Sequence, residues 1–305
     1  MSLPLSEQPA SASTRPARRG RILVAACLLL LLAAAAVLCW RPWRRPITII
    51  TSTNPRDGAA LVWVPAGPFL MGETRTGADL RDAYRDGGWQ EVFSAAWEAL
   101  RGRGDTNDAQ PHTVNLDGYW LYRTEVTVAQ YRRFCRATSR ALPPAPPWGW
   151  QDTHPIVKVS WDEAAAYAAW AGAALPTEAQ WEKAVRGTDG RAYPWGDAWD
   201  PAKCVTDTAG TRPVGSIPAG ASSYGALDLA GNAWEWCADW YDPAYYRSAP
   251  THNPPGPATG ITRVLRGGSW YSIERGCRGA FRDCYYPVDR YGLIGFRCVV
   301  SSSGP

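Results

Sequence analysis

The sequence predicts an α+β domain of low regular secondary structure, carried behind an apolar N-terminal run. Composition is the first ground: 17 Trp, 14 Tyr, 29 Gly and 26 Pro among 305 residues describe a loop-rich, aromatic-pinned chain rather than a helical bundle or coiled coil. The second is that the capped helical patterns are few and short. The third is that beyond Arg186 the chain turns into Gly, Pro, Trp and brief extended stretches as far as Cys298. With 46% hydrophobic and 20% charged residues, wholesale disorder is excluded.

Residues 1–21 form a basic N-terminal segment, and Ile22–Trp40 runs without a charge, close to the minimum for a membrane-spanning helix. The run is apolar on every face and flanked by arginines, so it reads as a signal anchor. Arginines before and after it nearly balance, which leaves orientation weakly encoded. Cleavage after Ala34-Ala35-Ala36 would instead make it a signal peptide, and Leu38 before Cys39 argues against lipidation. Seven Arg and one Glu lie in residues 1–46, leaving 25 basic and 27 acidic residues beyond. That balance removes the electrostatic footprint of a nucleic-acid binder.

Residues 41–58 read as a tether, residues 59–300 as one domain, and 301–305 as a tail. Leu61–Met71 reads as a strand pair broken at Pro-Ala-Gly. Asp79–Leu100 places its apolar residues at helical spacing, Thr113–Arg123 alternates like a strand, and Thr124–Cys135 opens a helix with an acid and Thr at its start. Ala141–Trp150 is too rich in Pro for regular structure. Ser160 with Glu163, and Thr177 with Gln180, mark the N-caps of two further helices. Past the anchor the six cysteines Cys135, Cys204, Cys237, Cys277, Cys284 and Cys298 fit up to three disulfides in an exported domain, with fifteen pairings open. No CxxC occurs and the histidines are scattered, which disfavours zinc.

Eight phrases fall in a fixed order: LVWVPAGPFLMG (61–72), TEVTVAQYRRF (124–134), HPIVKVSWDEAAAYAAWAG (154–172), LPTEAQWEKAVRG (175–187), YPWG (193–196), GNAWEW (231–236), RVLRGGSW (263–270) and GFRC (295–298). Together they resemble the formylglycine-generating enzyme (sulfatase-modifying factor) family over essentially all of the chain after the tether. The resemblance implies a C-type-lectin-like α+β fold. Turn and cap chemistry also explains most of these residue types without any ligand.

Active members of that family hold copper(I) between two cysteines and oxidise a substrate cysteine to formylglycine. By resemblance the two sulfurs stand at the third and eighth positions after the serine of RGGS, here Ser272 and Cys277. A protonated serine hydroxyl is a hard, poor ligand for a soft d¹⁰ ion, so this pair does not assemble a dithiolate. Cys277 and Ser269 remain the candidate catalytic residues, with Cys277 read alternatively as a disulfide partner or an inert buried thiol. Cys284 is the other sulfur near in sequence. Ile273, Gly276 and Leu293 depart from the family's substrate-site pattern, whereas Arg266, Ser269 and Trp234 keep it. Iron is the alternative transition metal, which needs two histidines and a carboxylate to converge.

The loop Asp228–Glu235 sets two carboxylates around a glycine, a pattern suited to a hard cation. The resemblance implies a structural calcium ion held by Asp228, Gly231, Ala233 and Glu235. The family's other calcium site is in doubt because Lys203 takes an Asn position. The expected function is an exported, membrane-anchored module that binds a protein or peptide partner, with Trp148, Trp150 and the Asp79–Leu100 helix as contact surfaces. An oxidoreductase is the alternative, and a glycan-binding domain the third reading.

Overall fold

The computed structural model describes residues 48–73 and 111–301. The apolar run Ile22–Trp40 and the Asp79–Leu100 helix expected from the sequence lie outside those residues. Among the described residues, no helix is long and apolar enough to cross a membrane.

Among the described residues, ten short strands form three sheets. The first orders β1 (Thr51–Thr53), β2 (Ala60–Val64), β5 (Tyr119–Tyr122) and β10 (Val299–Val300) as β1-β2-β5-β10, antiparallel throughout. The second is a ribbon of β3 (Gly67–Met71) and β4 (His112–Leu116), whose last pair joins Met71 to His112. In the third, β8 (Asp283–Tyr285), β7 (Arg263–Arg266), β6 (Trp234–Trp240) and β9 (Ile294–Gly295) run in the order β8-β7-β6-β9, with β6 and β9 parallel.

Three sequence expectations need correction. Leu61–Met71 does contain two strands, but they pair with β5 and β4 rather than with each other. Pro65 interrupts the run, Gly67 takes φ +125°, and Lys183 Nζ donates to the Pro65 and Gly67 carbonyls at 2.8 Å each, pinning the redirected chain. Thr113–Arg123 is not one strand but the end of β4 and all of β5, broken at Asp117-Gly118. A Cβ on Gly118 would lie 2.4 Å from the Trp63 ring, so the break accepts only glycine. Finally, the stretch read as a tether already contains β1 and the buried Asn54 and Asp57. Asp57 accepts from the Tyr122 and Tyr167 hydroxyls at 2.8 and 2.6 Å. Buried phenols require an acceptor, and this one comes from ahead of the expected start of the domain.

Among the described residues, three helices carry reciprocal capping boxes: α1 (Val128–Thr138; Thr127 with Gln130), α2 (Trp161–Trp170; Ser160 with Glu163) and α3 (Glu178–Arg186; Thr177 with Gln180). Helix α3 lies at the centre, with Trp181, Glu182 and Lys183 all buried. Its acids are met by arginines of the third sheet and the loop after β7. Arg282 clamps Glu178 through two bonds of 2.7 and 2.8 Å, and Arg266 binds Glu182. Buried charges persist only when paired in this way.

The sequence allows up to three disulfides, but the structure shows none among the described cysteines. Cys135, Cys204, Cys237, Cys277 and Cys298 are free thiols, and Cys284 sits buried on β8 opposite Val264. Most are dispersed: Cys135 and Cys298 belong to one part of the core and Cys237 to another. Cys204 and Cys277 share a small satellite cluster with Ala230.

Candidate functional site

Strand β7 ends at Arg266, whose guanidinium donates to the Gly279, Ala280 and Phe281 carbonyls at 3.0, 3.0 and 2.6 Å. One buried arginine thus draws the chain after position 278 back to the strand and closes residues 267–278 into a loop. The loop leaves through Gly267 and Gly268, at φ +97° and +75°. A side chain on Gly268 would stand 2.9 Å from Cys277 Sγ, which makes glycine obligatory there.

Ser269 and Ser272 face each other within this loop. The Ser269 amide donates to Ser272 Oγ at 2.9 Å, and the two hydroxyl oxygens are 3.3 Å apart. Trp234 and Phe281 pack beside them with ring centroids 6.0 Å apart. A Cβ on Gly276 would lie 3.4 Å from Ser272 and 3.7 Å from the Trp234 ring, and one on Gly268 2.9 Å from Cys277 Sγ, so these three side chains border the same loop with Ser269. Ile273 is exposed, Gly276 buried, and Leu293 packs partly buried on the core. Cys284 is not in this pocket; the sulfur that shares it with Cys277 is Cys204, alongside Ala230, Trp195 and Trp199. Burial pushes the Cys277 thiol well up, and the neighbouring Cys204 adds to that. Burial likewise raises Cys204 to about 11. Both are protonated at neutral pH, so either sulfur must lose its proton before it reacts, and reaction is slow.

A second constellation lies under the Asp228–Glu235 loop. Asp228 adopts φ +56° and its Oδ2 accepts from the Gly215 amide at 2.6 Å. Glu235 is held by Arg297 through bonds of 2.6 and 2.7 Å and by Trp181 Nε1 at 2.8 Å. Arg297 also donates to the Tyr122, Arg123 and Leu227 carbonyls, tying the loop to β5. Gly231, at φ +82°, lies under Val205, whose carbonyl would be 2.3 Å from any Cβ there. Glu125, which the sequence reading did not select, completes the group. It is 1% exposed, and neither carboxylate oxygen has a hydrogen-bond partner. Burial first, then Asp228 and Glu235, raise its ionisation well above the usual carboxylate range, against the pull of Arg297. Three buried carboxylates thus face one buried guanidinium. The signal available in the sequence was an acid beside Val126, at the start of the TEVTVAQYRRF phrase.

Lys203, at the doubtful family position, pairs with Asp200 at 3.4 Å. The histidines stand apart in their bonding. His154 is buried against Thr211 Oγ1 at 3.1 Å, His112 packs on Tyr246, and His252 is exposed beside Asp117.

Around the Ser269–Cys277 loop runs an apolar rim. Of eight large hydrophobic side chains exposed among the described residues, Tyr271 and Ile273 belong to this loop, and Tyr286, Val288 and Tyr291 to the segment after β8, which meets the loop where Trp270 Nε1 donates to the Gly292 carbonyl at 3.1 Å. Trp148, expected at a contact surface, is instead wedged edge-on against Trp270 at 5.2 Å and over Gly210. Trp150 donates to the Pro143 carbonyl at 3.2 Å and packs on the core.

Residues 49–302 match the family described as "Sulfatase-modifying factor enzyme 1-like domain". The chain is 33% identical to a formylglycine-generating enzyme of Streptomyces coelicolor over 311 residues, covering 81% of this chain and 91% of that protein. It is also 33% identical to a hercynine oxygenase of Mycolicibacterium smegmatis over 290 residues, covering 80% of this chain and 62% of that one. Among solved structures it resembles PvdO from Pseudomonas aeruginosa, with TM-score 0.67 and 23% identity over 84% of this chain and 98% of that chain. The last likeness concerns the fold alone.

Proposed function

Because the chain belongs to the sulfatase-modifying factor enzyme 1-like domain family, we propose that it keeps that fold and a calcium loop without the copper chemistry, and serves as an exported, membrane-anchored binding or assembly module. The observation that carries this reading is Ser272. Its hydroxyl occupies the place of a copper sulfur and is engaged within the turn by the Ser269 amide, while Cys277 is buried and protonated.

The acidic pocket fits a calcium ion in charge and donor type. The unpartnered Glu125 carboxylate beside Asp228 supplies hard oxygen ligands, and a divalent cation would offset the surplus of buried carboxylates. Asp228, the Gly231 and Ala233 carbonyls, and Glu235 once released by Arg297 are the residues that would hold it, with Glu125 nearby; among the described residues no three acids, cysteines or histidines stand grouped around one point. The apolar rim supports a protein or peptide partner, since exposed patches of this kind mark interaction sites. Anchoring and export rest on the Ile22–Trp40 run; resistance of the chain to alkaline-carbonate extraction and its digestion by protease added outside intact cells are the expected results.

The reading is tested by titrating the reduced chain with copper(I) against a chromophoric chelator. Wild type is expected to leave the ion with the chelator, and Ser272→Cys to bind it at least ~100-fold more tightly, because a second thiolate suits a soft ion. Stoichiometric copper on the wild type, or oxygen uptake with a cysteine-containing peptide, overturns it. The oxidoreductase reading draws on the hercynine oxygenase relative. It requires histidines to converge on iron, whereas His154 is engaged with Thr211 and His252 with Asp117.

A further inference from the structure

Cys277 has a serine at the position of its family partner, yet it does not lack a sulfur neighbour. Cys204 and Cys277 are two of the three buried residues in a satellite cluster of the core, the third being Ala230, and Trp195 and Trp199 pack against it. Both belong to segments that meet at Gly231. The Gly231 amide donates to the Gly267 carbonyl at 2.8 Å, and Cys277 Sγ would lie 2.9 Å from a Cβ on the adjoining Gly268. The Val205 amide nitrogen, one bond beyond the Cys204 carbonyl carbon, lies 3.1 Å from where a Cβ on Gly231 would stand. Val205 and Gly231 are also joined by a parallel bridge, through the Asn232 amide and the Val205 carbonyl at 2.8 Å. The segment that carries Cys204 and the loop that carries Cys277 therefore meet around one glycine, and the two sulfurs share one small cluster. The other cysteines belong to different parts of the fold.

We propose that Cys204 and Cys277 are an oxidisable pair, joined as a disulfide when the chain meets a small-molecule disulfide such as oxidised glutathione. One cysteine sulfur attacks the oxidant, forming a mixed disulfide and releasing one glutathione thiol. The second cysteine sulfur then displaces the other glutathione. Two thiols become one S–S bond, their two protons leave on the released thiols, and the oxidant takes the two electrons. Cys204 reacts first, because it is 6% exposed on a segment whose neighbours Pro201 and Ala202 face solvent, whereas Cys277 is fully buried. The bond would tie the segment after the Pro201–Lys203 turn to the Ser269–Cys277 loop and so fix one side of the rim. This inference concerns thiol chemistry and does not rest on the module reading.

The full chain is equilibrated across a series of reduced and oxidised glutathione ratios, quenched by alkylation after unfolding, digested and analysed by mass spectrometry. The expected result is a Cys204–Cys277 linked peptide that grows with oxidant, with an unfolding midpoint several degrees above that of the reduced chain, because a cross-link restricts the unfolded ensemble. Cys204→Ala and Cys277→Ala should each abolish the linked peptide and the oxidant-dependent shift, while Cys135→Ala leaves both. Should Cys277→Ala fail to fold, Cys204→Ala suffices: it is expected to match the reduced wild type and to ignore oxidant. Both thiols alkylated at every ratio, or Cys277 linked to Cys284 instead, would overturn the inference. A positive copper titration with an intact Cys204–Cys277 disulfide under oxidant would defeat the module reading and leave this one standing.

Discussion

Arg297→Met is expected to lower the unfolding free energy by about 3–5 kcal/mol, the scale for removing one partner of a buried ion pair. The guanidinium is fully buried, binds both oxygens of Glu235 and reaches three carbonyls on two segments. Its loss leaves Glu235, Asp228 and Glu125 as buried acids with no buried cation among them. Methionine preserves much of the volume, so the deficit reports charge and hydrogen bonding rather than a cavity. Arg290→Met is the control. That arginine pairs with Glu163 at 3.0 Å on the surface, where such a pair contributes about 0–1 kcal/mol. Urea denaturation of both variants decides the matter, and a loss below 1 kcal/mol for Arg297→Met would mean that the acids are already neutral in the wild type.

Chelation of calcium is expected to lower the melting temperature by about 5–10 °C when the ion had been present at about 100 times its Kd. The figure follows from roughly 2.7 kcal/mol of linkage, spread over the unfolding entropy of a domain this size. Glu125→Gln should remove most of that response. Because it also removes one of three mutually repelling carboxylates, the metal-free variant should melt no lower than the metal-free wild type. A purely structural Glu125 would instead shift both states equally. Terbium, a calcium substitute excited through nearby tryptophan, gives a second readout: Trp181 touches Glu235 at 2.8 Å, and the luminescence should fall in Glu125→Gln. Terbium emission that is the same in variant and wild type would remove Glu125 from the ligand set.

The helices α2 and α3 were legible to within a residue because their caps are local: Ser160 with Glu163 and Thr177 with Gln180 identify themselves by spacing alone. The RGGS turn was legible as a motif, and the structure supplies its reason in Arg266 gathering the 279–281 carbonyls. What could not be read locally was pairing. Nothing within Leu61–Met71 says that its two strands part company, because the clamp that separates them, Lys183, lies far along the chain. The start of the domain was placed late for the same reason, since Asp57 has meaning only beside Tyr122 and Tyr167. At the candidate site, Ser272 and Cys277 were found by position, but Glu125 and Cys204 became visible only when distant segments met over Gly231 and Asp228.

The β3–β4 ribbon closes on the pair Met71 and His112, so the chain departs and returns at neighbouring points. Just past the departure, Gly72 is fastened to Glu182 and Arg186, and Glu73 to Arg278. The exit from the ribbon is therefore a fixed post, set by bonds to α3 and to Arg278. Loop-closure entropy grows by only about 0.6 kcal/mol per doubling of length, so this junction is a natural grafting point: sequence can be lengthened, shortened or exchanged there while the strand register stays set by the pairs before it.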